Sequence, residues 1–332
     1  MVFKPKTKYL LRLVNVAIDG VFQFSINGHS LTVITNDFVP IKSYPTDSLQ
    51  ITIGQQYDVI MEALPTPAFS EYWLHGGWVN RCAPNANVNS ITGIVRYNTS
   101  STALPTTTST VTPSTHCLDE PLASTVPYLP LNVTNIPPPN LVLENLNFTT
   151  GAVFHWTINT SSLVLNWKNP TIMHVFNNES IFPTPYNVVP IRRSSPTASP
   201  KWAVLIIQDV GTINLAHPIH LHGHDFWVLA QKTGRWDGTT TNFNTVNPTR
   251  RDVATLPGGG YLAMGFLLDN PGAWLVHCHI AWHASQGLSL EFVEDQKEIA
   301  MKIPEGEERQ FRDVCKSWGL HTPVWEQDDS GI

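Results

Sequence analysis

The sequence is poor in charge, in cysteine and in long apolar runs, and each absence excludes a class of protein. Charged residues make up 14% of the 332 positions, the net charge is −6 and no basic run occurs, so nucleic-acid binding is not expected. The longest apolar runs are too short to span a bilayer. Four cysteines in a chain of this length are too few for a small protein that is held together mainly by disulfides.

The N-terminus, MVFKPKTKYLLRLVNV, also lacks the apolar core and the cleavage site of a secretory signal. The rest of the chain nevertheless has extracellular features, because Thr, Ser and Pro are abundant between 99 and 115 and N-x-S/T sequons recur. The sequons begin at Asn98, Asn132, Asn147, Asn159 and Asn178. We therefore predict a secreted protein, and we expect the chain as given to be incomplete.

Short runs that alternate apolar and polar residues dominate the sequence, and they are separated by Gly, Pro, Asn and Asp. Examples are FQFSI, LTVIT, YDVIMEA, WAVLIIQ and AWLVHCHI. This pattern is typical of all-β sandwiches or barrels. Helical periodicity is confined mainly to the C-terminal end, where EDQKEIAMKIP and GEERQFRDVCKSWG each predict a short helix.

The length favours two domains, and two polar, proline-bearing stretches indicate where they meet. TSSTALPTTTSTVTPSTHC and NVTNIPPPN both have the composition of exposed connections rather than of buried strands. We predict one domain over 1–118, a linker over 119–140 and a second domain over 141–332.

Seven of the thirteen histidines lie in two segments, HPIHLHGHDFW and HCHIAWH. If HCHI continues the strand that AWLV begins, alternation places His277 and His279 on one face and Cys278 on the other. One strand would then contribute to two sites. His283 follows the strand and can turn back towards the Cys278 side.

The upstream segment divides in the same way. His220 and His222 share one strand face, whereas Pro218 interrupts the hydrogen-bond ladder and lets His217 point elsewhere. Cys278, His283 and His217 then supply the His₂Cys set of blue-copper centres. The alternative is structural zinc, but zinc usually takes a closed set of four ligands, often with paired cysteines, and no C-x₂₋₄-C pair occurs.

The other histidines of the two segments predict a second copper site, because so many imidazoles converging in a core would otherwise leave polar groups crowded and unpaired. These are His220, His222, His277 and His279. Isolated histidines are interpreted as structural or surface residues: His29, His75, His116, His155, His174, His321 and His224.

The segments HPIHLHGHDF and GAWLVHCHIAWHASQGLSLEF resemble the two C-terminal copper-binding segments of multicopper oxidases, and the whole chain is similar to ascomycete-type fungal laccases. The resemblance implies tandem cupredoxin-like domains, the first of them incomplete. It also implies copper ligands: His217, Cys278 and His283 for type 1, His220 for type 2, and His222, His277 and His279 for type 3. Cys278 would carry electrons from the type 1 site to the trinuclear cluster that reduces dioxygen.

The resemblance assigns two further positions near the chemistry. The family's axial position, ten residues after the cysteine, is Leu288, which cannot donate to copper and should raise the type 1 potential. Asp19 matches a pocket carboxylate that accepts the proton of a phenolic substrate. Without the resemblance, Asp19 would be interpreted as a solvated turn residue in IDG.

The remaining cysteines and the C-terminus also have counterparts in the family. Cys82 and Cys117 match an intradomain disulfide. Cys315 matches a cysteine that bridges to the first domain, and here it has no partner. The final DSGI resembles a tail that plugs the channel to the trinuclear site, although a frayed terminus is the alternative.

Complete laccases take further H-x-H pairs from a first domain, and this sequence has H-x-H only at 220/222, 222/224 and 277/279. Four histidines of the family's cluster therefore have no counterpart, and only the type 1 site can be completed. We expect a laccase that lacks its first domain. Enzymes of this type couple the one-electron oxidation of phenols or aromatic amines to the reduction of dioxygen, and turnover by the chain alone is not expected because its trinuclear centre is incomplete. Alternatives are a non-catalytic type 1 copper protein and assembly with a partner chain that supplies the other histidines.

Overall fold

The computed structural model describes residues 1–88, 91–134, 136, 141–192, 202–321 and 329–332, without the side chains of residues 300 and 301. These residues form two compact units: 1–132 with 246–255, and 133–245 with 256–332. The predicted linker over 119–140 stays a prediction, and its residues 135 and 137–140 lie outside the described residues. The sequence analysis did not anticipate that residues 246–255 belong to the first unit.

Strands dominate both units, so the all-β prediction is confirmed. The strands of residues 1–132 are β1 (Lys8–Val14), β2 (Val21–Ile26), β3 (Leu31–Asn36), β4 (Val39–Thr46), β5 (Leu49–Thr52), β6 (Gln56–Glu62), β7 (Glu71–Trp78) and β8 (Thr92–Arg96). The later strands are β9 (Leu141–Thr149), β10 (His155–Ile158), β11 (Val188–Ile191), β12 (Trp202–Asp209), β13 (His217–Leu221), β14 (Phe226–Thr233), β15 (Arg250–Arg251), β16 (Val253–Leu256), β17 (Gly260–Leu267), β18 (Gly272–Cys278) and β19 (Ser289–Glu294).

The described helices are short, and the two longest occupy the C-terminal end as the sequence predicts. The four α-helices in the described residues are α1 (Thr171–Phe176), α2 (Ala281–Ser285), α3 (Gln296–Lys302) and α4 (Glu305–Leu320). The helix α4 starts directly after Pro304 and has three glutamates in its first turn, where negative charge interacts favourably with the helix dipole and stabilises the helix.

The first unit is a sandwich of two antiparallel sheets. One sheet has the order β1-β6-β3-β4 and the other β5-β2-β7-β8. Alternate residues of both sheets point inward and form one core, to which Val33 and Val59 contribute from the first sheet and Ile51 and Tyr72 from the second. All four side chains are at most 4% exposed. The alternating apolar pattern of the sequence is therefore the pattern of this core.

The second unit also contains two sheets. Strands β10-β9-β12-β17-β14 follow one another in the first, and β11-β19-β18-β13 in the second. The pairs β9/β12 and β11/β19 are parallel, whereas β18 is antiparallel to both of its neighbours β13 and β19. Because β18 is flanked on both sides, it lies in the interior of its sheet, and this is the strand that carries Cys278.

A buried ion pair joins the two sequence segments of the first unit. The Arg251 Nε–H donates to Asp37 Oδ2 at 2.8 Å, and the exposed fractions of the two residues are 0% and 3%. The other carboxylate oxygen of Asp37 accepts the Gln56 N–H at 2.9 Å. Because both charges are removed from water, each depends on the other for its stabilisation.

We predict that Asp37→Asn destabilises the first unit by about 3–5 kcal/mol, because the change removes the carboxylate that is hydrogen-bonded to the buried Arg251 guanidinium. Urea denaturation measures the loss. The exposed pair Lys8–Glu62, 3.9 Å apart, supplies the matched control. Glu62→Gln should cost no more than about 1 kcal/mol. Equal losses for the two variants would contradict a stabilising role for the buried pair.

Candidate metal centre

Two neighbouring antiparallel strands bring the histidine-rich segments together. In the register of β13 and β18, His220 lies opposite His277 and Ile219 lies opposite Cys278. His222 follows the end of β13, and its N–H donates to the Leu275 carbonyl at 2.9 Å. The two segments, about sixty residues apart in the sequence, therefore meet at one edge of this strand pair.

The sulfur of Cys278 faces two imidazole nitrogens. Its Sγ lies 3.5 Å from His283 Nδ1 and 3.9 Å from His217 Nδ1, and these two nitrogens are 3.0 Å apart. Cys278 and His217 are fully buried. The structure thus brings together the three residues that the sequence assigns to the type 1 site.

Burial lowers the pKa of both imidazoles in this group. The pKa of His283 falls to about 4, and that of His217 falls well below its ordinary value, with a further contribution from the nearby His283. Both rings are therefore neutral near pH 7, which is the form that binds metal.

The three atoms fit a metal ion. Metal–nitrogen and metal–sulfur bonds of about 2.0 and 2.3 Å place the ligand atoms of a trigonal site about 3.5–3.7 Å apart. The observed separations, from 3.0 to 3.9 Å, bracket that range. A thiol and two neutral imidazoles that converge at this spacing are the donor set of a blue-copper centre.

A second group of three histidines, His220, His222 and His277, also holds its ligand atoms within 4.8 Å of one another. The Nε2 atoms of His222 and His277 face each other at 3.1 Å. The His277 Nδ1 lies 2.9 Å from the Cys278 carbonyl, which can only accept, so Nδ1 carries the proton and Nε2 presents a lone pair. A backbone carbonyl thus orients the His277 ring, as backbone carbonyls and carboxylates commonly orient histidines that bind metal.

The fourth predicted imidazole, His279, lies beside this group. Its ring centroid is 5.8 Å from that of His277 and 5.9 Å from that of His220, and its N–H donates to the Pro218 carbonyl at 2.7 Å. Cys278 separates His277 from His279 in the sequence, so a single peptide unit connects the sulfur-containing group to the histidine group on either side.

The sequence analysis missed a tryptophan that packs against the sulfur-containing group. The Trp156 ring in β10 lies 4.8 Å from His217 and 4.8 Å from His283, and Trp156 is 3% exposed. The run VFHWTI has the composition of the other predicted strands, which indicates burial of Trp156, but no sequence feature connects this run with the histidines. The indole keeps water away from the two imidazoles.

The short helix α2 presents His283 and must end abruptly for the chain to return to Cys278. Gly287 takes the left-handed conformation, with φ of +88°, as is usual after a helix. The next residue, Leu288, is 1% exposed, and its N–H donates to the His283 carbonyl at 2.9 Å. The Leu288 carbonyl in turn accepts the Cys278 N–H at 3.1 Å. The backbone of Leu288 therefore connects two of the candidate ligands.

The other predicted residues are placed as follows. Asp19 is half-buried in the turn before β2, and burial raises the pKa of its carboxyl group. The predicted disulfide between Cys82 and Cys117 is present, whereas Cys315 is a free, buried cysteine in α4. His224 packs against Phe266 with its Nε2 3.0 Å from a Glu294 oxygen, which agrees with a structural residue.

We predict that Gly287→Ala displaces α2, because a Cβ at this position would lie 1.8 Å from Ser162 Oγ. Gly234 is the matched control, since its φ is +79° and a Cβ there meets no atom within 4 Å. Both variants bear the cost of a left-handed alanine, but Gly287→Ala should cost about 1–3 kcal/mol more in urea denaturation because of the overpacking. An equal cost would show that Ser162 moves aside freely.

Known proteins match the chain along its whole length. Residues 1–100 and 144–298 each match a family model described as multicopper oxidase. Laccase-2 of Botryotinia fuckeliana is 51% identical over 336 residues, which cover 100% of this chain and 56% of that protein. A laccase of Neurospora crassa is 34% identical and covers 98% of this chain and 54% of its own length. The crystal structure of a laccase from Botrytis aclada has a TM-score of 0.92 at 49% identity, covering 100% of this chain and 60% of that one.

The chain thus spans little more than half the length of the curated relatives that it matches. Both candidate ligand groups lie inside the second matched range, 144–298, and the likeness of fold to the Botrytis aclada laccase includes both compact units. The chain therefore belongs to the multicopper oxidase family and is of the fungal laccase type.

Proposed function

We propose that the chain provides the type 1 copper centre and part of the trinuclear centre of a laccase. The complete enzyme would remove single electrons from phenols or aromatic amines and would reduce dioxygen to water. The observation that carries this proposal is the position of Cys278, whose sulfur faces two neutral imidazoles while its carbonyl oxygen orients His277 in the neighbouring histidine group.

In this proposal, the sulfur of Cys278 and the Nδ1 atoms of His217 and His283 hold one ion. Copper bound by these atoms would supply a one-electron redox couple. Trp156 would exclude water from the imidazoles, and the Leu288 side chain would add no donor atom to the three ligands, which favours a high potential. His220, His222, His277 and His279 contribute to the second centre, the first as a type 2 ligand and the others as type 3 ligands.

Substrate binding is proposed to involve Asp19. A raised carboxyl pKa suits a group that takes a proton from a phenol as the electron leaves, because it brings the proton affinity of the carboxylate closer to that of the donor. The assignment depends on the likeness to laccases rather than on the position of Asp19 within its own unit.

We propose that turnover requires ligands from outside this chain. The sequence has no H-x-H pair beyond those of the two segments, and laccases take further pairs from a first domain. An extracellular location is proposed from the sequons and from the likeness to secreted fungal laccases. No helix in the described part of the chain is long and apolar enough to cross a membrane.

The test is reconstitution of the purified chain with copper. We expect about one tightly bound copper per chain in a site with the intense blue thiolate-to-copper absorption, and no oxygen uptake with a phenolic donor. Cys278→Ser should abolish the absorption. Cys315→Ser, which removes the other free cysteine, should leave it unchanged.

A colourless chain, or a blue colour that survives Cys278→Ser, would contradict the proposed type 1 site. Oxygen uptake by the chain alone, with a full complement of bound copper, would contradict the requirement for outside ligands. In the blue chain, His222→Ala should leave the tightly bound copper and the absorption band in place, because His222 belongs to the other group.

A further inference from the structure

The C-terminal tail, residues 329–332, is built into the second unit rather than lying free on its surface. Ser330 is 1% exposed. Its N–H donates to the Ser285 carbonyl at 2.8 Å, and its own carbonyl accepts the Leu165 N–H at 2.9 Å. One tail residue therefore bridges two backbone segments that are far apart in the sequence.

Local contacts give the tail its shape. The Gly331 N–H donates to Asp329 Oδ1 at 3.2 Å, and the Ile332 N–H donates to Ser330 Oγ at 3.3 Å. Gly331 has a φ of +79°, which favours glycine. These bonds fix the local conformation of the four residues, but they lie within the tail and do not attach it to the rest of the unit.

A side chain outside the tail provides a further attachment. The Trp167 indole N–H donates to the Gly331 carbonyl at 3.0 Å. The Trp167 ring lies 5.0 Å from that of Trp318, which belongs to α4. Trp167 thus connects the tail to α4, next to the point where Ser330 is inserted.

The insertion of Ser330 bears directly on α2. Ser285 is the last residue of that helix, and His283 lies two positions before it. Just beyond the helix, the Gln286 carbonyl accepts hydrogen bonds from the backbone N–H of Trp156 at 2.9 Å and from the Ser162 hydroxyl at 3.2 Å. The end of α2 is therefore held by strand β10 and residue 162 at Gln286, and by the tail at Ser285.

We propose that Trp167 is a positioning residue, which holds Gly331 so that Ser330 stays inserted against Ser285 and fixes the helix that presents His283. This role differs from closing a channel, because it acts through the hydrogen bond from the Ser330 N–H to the backbone of α2. The metal-ligand role of His283 rests on the proposed function, whereas the attachment of the tail to α2 does not.

The test compares Trp167→Phe with Trp236→Phe in the metal-free chain. Both changes keep an aromatic ring and remove one indole hydrogen bond, but the indole of Trp236 donates to the Thr239 carbonyl, whereas that of Trp167 donates to the tail. Carboxypeptidase release of Ile332 reports on the tail, and hydrogen exchange of peptides covering 281–288 reports on α2. In Trp167→Phe, the loss of one hydrogen bond should accelerate both the release of Ile332 and the exchange at α2 about fivefold. In Trp236→Phe, both rates should stay unchanged.

A chain truncated after Asp329 distinguishes the two steps of the proposal, which are that Trp167 holds the tail and that the tail supports α2. It should exchange at α2 at least as fast as Trp167→Phe. If truncation accelerates exchange at α2 but Trp167→Phe does not, Trp167 is not the residue that holds the tail. If neither change affects α2, the tail does not support the helix. Either result overturns the proposal.

The copper-loaded chain gives a readout that general loosening of the surface would not move. Displacement of His283 should shift or broaden the thiolate-to-copper absorption in Trp167→Phe, with no change in Trp236→Phe. An unshifted absorption band together with faster exchange at α2 would overturn the proposal that Trp167 fixes the position of His283. Failure of every variant, and of the unaltered chain, to turn blue would count against the proposed function, while the exchange measurement would still decide the role of Trp167.

Discussion

The alternation of side chains along β18 is the constraint on which the candidate centre depends. Successive residues of a strand point to opposite faces, so Cys278 and His277 serve different groups although they are adjacent in the sequence. A shift of one residue in the pairing with β13 would exchange the two faces. The position of β18 between β13 and β19 prevents such a shift, because both neighbours would have to move with it.

Much of the centre could be predicted because its ligands are concentrated in two short segments. Alternation separates His277 from Cys278 without knowledge of the fold, and the separation is the one observed. The supports of the centre could not be predicted in this way. Trp156 and Ser330 contact positions that are distant from them in the sequence, and these partners are set by packing rather than by local pattern. The same holds in the first unit for the buried ion pair of Asp37 with Arg251.

Three strands form against the local preference of their sequences. The strand β4 contains two prolines, β7 contains two adjacent glycines, and β13 is a five-residue strand with a proline at its second position. Proline and glycine normally interrupt strands, so local preference argues against all three. Tertiary packing overrides that preference. The strand β13 runs through Pro218 without the interruption that the sequence predicts, and alternation alone places His217 and His220, three residues apart, on opposite faces.

The supports of the centre differ in how directly they act on the ligands. The Leu288 backbone connects His283 to Cys278 through one residue, and Gln286 joins α2 to the strand of Trp156. Each of these contacts fixes backbone, whereas the ligand side chains themselves bring neutral, lone-pair-bearing nitrogens close to one another. A metal ion satisfies both nitrogens and the thiolate at once, and binding to the folded state alone stabilises that state. The rigid backbone and the convergent ligands therefore act together: the fold holds the donor atoms at metal-binding distance, and the metal in turn should stabilise the fold that holds them.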